Sequence, residues 1–254
     1  EGMPGAPEAG PPVGPGLAAP AVPLSGPAAP PGPGIDAPGQ MPPMPDMPQT
    51  THAPQAPDRD EIAVMDWGRL EEAVAGCVRC GLCHGRTRTV FGTGDRKANW
   101  LFVGEGPGRN EDLQGEPFVG PAGKLLDNML LAMDLRRGEN AFIANIVKCR
   151  PTGADGRDRP PAPEEVAACM PYLERQIALL KPEVIVALGK TAGTALLGLP
   201  PDTSLASLRG KVHRRTGLPL VVTYHPAYLL RKPADKAKSW IDLCLAMQAY
   251  ASGG

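Results

Sequence analysis

Aromatic side chains are absent from the first 60 residues of this 254-residue chain, and charges there are few. Pro, Gly, Ala and Met fill the segment instead, as in "GAPEAGPPVGPGLAAPAVPLSGPAAPPGPG". It shows neither strand nor helix periodicity, and too little bulky apolar surface to offset the entropy of ordering it. A disordered arm, partly polyproline II, is therefore expected over residues 1–60. Collagen is excluded because Gly does not recur at every third position. No basic start leads into a compact apolar core, so no secretory signal is expected. The chain also lacks any run of about 18 apolar residues, so no membrane span is expected. Net charge is small too, −1, which does not suggest a general polyanion binder. The cations are nevertheless gathered in one place. Between Arg209 and Lys238 stand eight Lys or Arg against one acid, Asp235. A local basic face suits a phosphate backbone, although a solvated surface gives the same pattern.

Residues 61–254 are enough for one well-buried core. Glu61–Ala75 has helical apolar spacing, with Ile62, Met65, Leu70 and Val74. "NWLFVGEG" (99–106) reads as a buried strand ending in glycine, and "PAGKLLDNMLLAMDL" (121–135) as an amphipathic helix opened by Pro. "NAFIANIV" (140–147) is a second strand, "PAPEEVAACMPYLERQIALL" (161–180) a helix with acids in its first turn, and "PEVIVALG" (182–189) a third strand. A short helix "KTAGTALLG", a fourth strand "LPLVVTYH" (218–225) and a closing helix through "PADKAKSWIDLCLAMQAY" complete the chain. Continuous apolar strands alternating with helices predict an α/β fold: a three-layer α/β/α sandwich around a four-stranded parallel sheet. Sites in such sheets form at the carboxyl ends of the strands. Three of those ends carry unusual residues, "GEGPG", "NIVKC" and "YHPAYLLR"; the third strand ends in the plainer "ALGKTAG".

"GEGPGRNED" (104–112) could cradle a phosphate, but a dinucleotide fingerprint needs Gly where Arg109 stands. A P-loop around "GPAGK" needs Gly and Ser or Thr where Phe118 and Leu125 stand. What remains is a stiffened turn presenting backbone N–H groups and the acids Glu105, Glu111, Asp112 and Glu116, or else a plain strand-to-helix turn. His225 lies at a strand end with Pro226 suited to open a helix, and a helix N-terminus disfavours an imidazolium. A neutral His there could donate to a developing anion, although such a His is often only structural. "CVRCGLC" (77–83) begins like a ferredoxin run, but the fourth cysteine is replaced by Thr87. A tight C-x₂-C pair plus the distant Cys149 and Cys169 would make a four-thiolate site that fits either iron–sulfur or zinc. Cys244 sits among Leu243, Leu245 and Met247 and is expected in the core.

Together these motifs resemble the iron–sulfur (family 4) uracil-DNA glycosylases. The resemblance runs from Cys77 to about Leu245 through "GRTRTVFGTG", "VGEGPGRNED", "GEPFVGPAGKLLD", "ANIVKCRP", "LRGKVH" and "YHPAYLLR". It implies a structural [4Fe–4S] cluster on Cys77, Cys80, Cys149 and Cys169, with Cys83 a bystander. It implies catalytic roles for Glu105, which positions or activates water with Glu111 or Asp112 as helpers, and for His225, which stabilises uracil O2. Gly104, Gly106, Phe118 and Asn145 would bind uracil, Phe118 by stacking and Asn145 by reading the polar edge. Pro107, Arg231 and Lys211 would contact DNA. Other branches of the superfamily carry Asp or Asn at the position of Gly106 to activate water. The implied function is hydrolysis of the N-glycosidic bond of uracil in single- or double-stranded DNA, giving free uracil and an abasic site for base excision repair. The expected protein is a cytoplasmic monomer, nucleoid-associated in a prokaryote, with residues 61–254 as the catalytic domain and the Pro-rich arm open to a protein partner. Rival readings are a non-catalytic binder of uracil-containing or single-stranded DNA, and a zinc-stapled structural domain.

Overall fold

The computed structural model describes residues 56–253. The arm expected over residues 1–60 lies, except for its last five positions, outside the described residues.

Six strands form one sheet: β1 (Thr93–Gly94), β2 (Trp100–Gly104), β3 (Ala141–Asn145), β4 (Val184–Leu188), β5 (Val212–Arg215) and β6 (Leu218–Thr223). Their spatial order is β1-β3-β2-β4-β6-β5. The interior four, β3, β2, β4 and β6, pair in parallel, and their side chains are buried almost throughout, as a sheet covered on both faces requires. The expected count of four is corrected at the two edges, where β1 and β5 add antiparallel strands. Neither edge strand offers a buried apolar run. β1 has two residues, and β5 reads Val-His-Arg-Arg with exposed and half-buried positions alternating. A two-residue loop joins β5 to β6. Thr216 and Gly217 in it both have positive φ, 47° and 88°, which matches the strand twist.

Helices cover both faces. On one lie α1 (Arg59–Val64), α2 (Trp67–Ala75), α5 (Pro163–Leu180), α6 (Lys190–Leu197) and α7 (Leu205–Leu208); on the other lie α4 (Pro121–Ala132) and α9 (Lys236–Ala251). Strand alternation splits the core accordingly. Leu101 and Val103 of β2 join Leu70, Tyr172 and Leu173, while Trp100 and Phe102 join Leu126, Leu130 and Leu243. The helix expected over Glu61–Ala75 is two helices. Met65 closes α1, and the Asp66 carboxylate caps α2 by accepting from Arg69 N at 2.9 Å. Apolar spacing runs on across the break, so periodicity alone does not mark it.

Chain order runs from β2 to β3 on one side and then to β4 on the other, so the topological switch lies between β2 and β4. The short helices α3 (Arg109–Gln114) and α8 (Pro226–Arg231) follow β2 and β6 at the same end of the sheet. A crevice at those carboxyl ends is the result.

Candidate active site

The crevice is a cleft of about 490 Å³. Each parallel strand delivers residues to it: Glu105 and Gly106 after β2, Asn145 at the end of β3, Gly189 and Lys190 after β4, and His225 after β6. Phe118, Pro107, Tyr228 and Arg231 also line it, with Pro151, Asp158 and Arg159 among the remaining wall residues. The sequence-predicted residues Glu105, Gly106, Pro107, Phe118, Asn145, His225 and Arg231 are thus brought to one place. Gly104 lies beneath them. A Cβ on it would collide with the Asn145 amide oxygen and come within 2.6 Å of Phe118 Cζ, so the two side chains meet over a bare backbone. Lys211 stands apart, exposed, just before β5.

Phe118 and His225 stack with ring centroids 5.5 Å apart and an interplanar angle of 27°. Phe118 has φ 56°, an uncommon conformation for a bulky residue. Arg137 braces it by donating to the carbonyls of Pro117 (2.8 Å) and Phe118 (2.9 Å). His225 caps α8, its Nδ1 accepting from Ala227 N at 3.2 Å. A ring nitrogen that accepts carries no proton, so the neutral ring holds its proton on Nε2. Burial, and then the Arg231 guanidinium, lower the imidazole from 6.5 to about 4, so it is neutral at physiological pH. Asn145 is 2 % exposed, and its Oδ1 has no hydrogen-bond partner among the described residues.

The carboxylates divide by geometry. Glu111 spends both oxygens on backbone, accepting from Gly108 N, Val119 N and Gly120 N at 3.0–3.2 Å. Asp112 is buried and accepts from Thr87 N and Arg88 N. It holds the segment after the C-x₂-C pair and does not line the cleft. Glu105 accepts from the Thr191 hydroxyl through Oε2. That bond crosses the switch point from β2 to the start of α6. Thr191 and Lys190 are functional candidates that sequence reasoning passed over. Their one signal was position, since "ALGKTAG" is also a strand carboxyl end. The basic run is divided as well. Arg209 pairs with buried Asp242 at 2.7 Å and covers the Tyr224 ring, and Arg215 pairs with Glu174, whereas Lys211, Lys232 and Lys236 are exposed.

A second cavity is lined by Cys77, Cys80, Cys83, Cys149 and Cys169 with Arg79, Arg86, Lys148 and Tyr172. N–H groups already face three of its sulfurs: Arg79 N to Cys77 Sγ (3.5 Å), Arg86 Nη1 to Cys149 Sγ (3.3 Å) and Lys148 N to Cys169 Sγ (3.3 Å). The Tyr172 hydroxyl is buried there without a partner among the described residues. Burial raises the Cys80 and Cys149 thiols and pushes Cys169 up to about 12. Unliganded, these groups stay protonated, and a metal would have to displace the proton. Cys83 lines this cavity with the other four and also faces an outer surface pocket beside Arg88. Cys244 is half-buried on α9.

The model of the uracil DNA glycosylase superfamily matches residues 91–246. The chain belongs to that superfamily. It is 43% identical over 187 residues to the type-4 uracil-DNA glycosylase of Pyrobaculum aerophilum, spanning 71% of this chain and 93% of that one. The type-4 enzyme of Archaeoglobus fulgidus is 44% identical over 166 residues (63% and 81%), and that of Thermotoga maritima 41% over 170 residues (66% and 85%). Within the superfamily, the bare Gly106 has a local cause here. A Cβ on it would meet Val147 Cγ2 at 2.8 Å and Pro151 at 3.4 Å, so neighbouring side chains occupy the space an Asp or Asn would need. Among the described residues, no helix is long and apolar enough to cross a membrane.

Proposed function

We propose that the protein is a uracil-DNA glycosylase that draws uracil out of DNA into the cleft at the strand ends and hydrolyses its N-glycosidic bond. The observation that carries this reading is Asn145 Oδ1, a buried acceptor without a partner among the described residues, in a cleft lined by an aromatic ring. An amide there accepts from uracil N3–H and donates to O4. Cytosine offers an acceptor at N3 and a donor at the 4-position, which leaves buried groups unpaired and is strongly rejected. Extruding a base costs a few kcal/mol, and stacking on Phe118 offsets part of that.

Cleavage leaves negative charge on uracil and cationic character on the sugar. Neutral His225, with its proton on Nε2, donates to O2 as the anion forms. Glu105, oriented by Thr191, favours the cationic sugar and positions water; Glu111 and Asp112 act as scaffold, with both Glu111 oxygens and Asp112 Oδ1 engaged by backbone. Pro107, Arg231, Lys190 and the more distant Lys211 hold the DNA strand.

Cys77, Cys80, Cys149 and Cys169 hold a [4Fe–4S] cluster in this reading, with Cys83 spare. Support comes from the four thiols around one cavity and the N–H groups directed at them. The cluster's contribution is structural: it ties the C-x₂-C segment to β3 and α5. The protein works as a monomer on single- or double-stranded uracil-containing DNA, in the cytoplasm and on the nucleoid in a prokaryote. Residues 61–254 carry the chemistry, and the Pro-rich arm is available to a protein partner.

A uracil-containing oligonucleotide, incubated with the protein and cleaved by alkali, tests the central claim. Strand scission at uracil and none at cytosine is expected. Tight binding with no abasic product would identify a non-catalytic binder instead.

A further inference from the structure

We propose that Lys148 is a positioning residue for uracil recognition: its buried ammonium fixes the carboxyl end of β3 and so aims the Asn145 amide. This rests on Asn145 being the uracil reader. Lys148 is 1% exposed and Gln176 is 0% exposed. Lys148 Nζ donates to the Asn145 carbonyl at 2.8 Å and to Gln176 Oε1 at 2.7 Å, and Gln176 Nε2 donates to the Phe91 carbonyl at 2.9 Å. The Lys148 backbone is pinned on both sides, its N–H donating to Cys169 Sγ and its carbonyl accepting from Val90 N at 2.7 Å. One residue thus joins three elements: the segment before β1, helix α5 and the strand end that carries Asn145.

Burying an amino group is costly unless its hydrogen bonds are made, and the acceptors here are neutral amide and carbonyl oxygens. Volume alone does not call for it, since a methionine of similar length fills such a space. What lysine adds is a donor that reaches back three residues to the Asn145 peptide. β3 ends at Asn145, and beyond it only Ile146 N and Val147 N, bonded to the Gly104 and Glu105 carbonyls, carry on the pairing with β2. The Asn145–Ile146 peptide is therefore held from both sides, its N–H by the Gly104 carbonyl and its carbonyl by Lys148, and the Lys148 bond adds the second anchor that fixes the direction of the Asn145 Cα–Cβ bond. A displacement of about 1 Å at a reacting group costs roughly 100-fold in rate.

The test uses iron-loaded full-length protein. Lys148→Met and Gln176→Met are each made alone and on an Asn145→Ala background. Single-turnover excision, affinity for abasic-site DNA and iron content are then measured. Lys148→Met is expected to slow excision by roughly 30-fold, while abasic DNA, which has no base to read, binds within about twofold of wild type and iron content is full. On the Asn145→Ala background the same change is expected to cost less than about twofold, because both act through one amide. A wild-type rate in Lys148→Met, or losses that multiply with Asn145→Ala, would overturn the proposal. If Lys148→Met does not fold, Gln176→Met decides. A loss of roughly fivefold that vanishes on the Asn145→Ala background supports the strut, and an unchanged rate removes it. Asn145→Ala excising uracil at the wild-type rate is a separate failure, since it removes Asn145 as the reader.

Discussion

His225 shows how one hydrogen bond and one environment set a residue's chemistry. Its Nδ1 is committed to the α8 backbone, and burial with Arg231 nearby holds the ring neutral down to about 4. Between about 4 and the ordinary 6.5 the folded protein binds fewer protons on this ring than the unfolded chain does. Stability from this group is therefore complete above 6.5 and is lost as pH falls toward 4. A ring-specific NMR titration is expected to place the midpoint near 4, with the proton on Nε2 above it. A midpoint above physiological pH would put an imidazolium beside the leaving base and contradict the neutral donor, and one at 6.5 would show that burial and Arg231 do not depress the ring. Removing the ring as His225→Ala should slow single-turnover excision by roughly 100-fold while DNA affinity changes only a few-fold. An intact single-turnover rate would rule out the anion-stabilising role.

At the scale of elements, the site is a junction between strand ends. Glu105 leaves β2, and Thr191 begins α6 after β4, so their bond spans the sheet at its switch point. Among the described residues, Thr191 is the side chain that hydrogen-bonds this carboxylate and so orients it. Thr191→Val keeps the shape and removes the donor. The expected loss in kcat is roughly tenfold, the worth of one hydrogen bond, with KM little changed. Thr191→Ser should retain most of the rate. Equal rates in Val and Ser variants would show that Glu105 needs no orienting partner.

Across the molecule, two cavities lie close together along one stretch of chain. Asn145 lines the cleft, and Lys148 and Cys149 line the cysteine cavity three and four residues later. On the proposed reading, loss of the cluster should therefore loosen the fold before it alters the chemistry. Cys149→Ser is expected to lose iron and the absorbance near about 400 nm that goes with it. Its Tm should fall on the order of 10 °C, since each kcal/mol moves Tm by about 2–4 °C in a domain of this size. Cys83→Ala should keep full iron and wild-type Tm. If Cys83→Ala instead loses iron, the ligand pair in "CVRCGLC" is Cys80 with Cys83.

The sequence by itself determined the layers and the place of the site. Buried parallel strands must be apolar along their whole length, so β2, β3, β4 and β6 stand out as runs, and the polar residues that end them mark the cleft. His225 stood out by its type at a strand end, whereas Phe118, in the turn between α3 and α4, and Asn145 were singled out only through the family resemblance. Tertiary structure alone decided the rest. The edge strands β1 and β5 are too short or too polar to leave a periodic signal, and the break between α1 and α2 falls inside an unbroken apolar spacing. Four acids follow one another closely from Glu105 to Glu116, and nothing in their order tells which is free. Backbone N–H groups from Val119, Gly120, Thr87 and Arg88 claim Glu111 and Asp112, leaving Glu105 to Thr191, which lies 86 residues along the chain. Lys148 would pass in sequence for a surface lysine beside a cysteine. Only folding places its amino group in the dry interior, against the carbonyl of Asn145, because hydrogen-bond partners are set by distance in space and not along the chain.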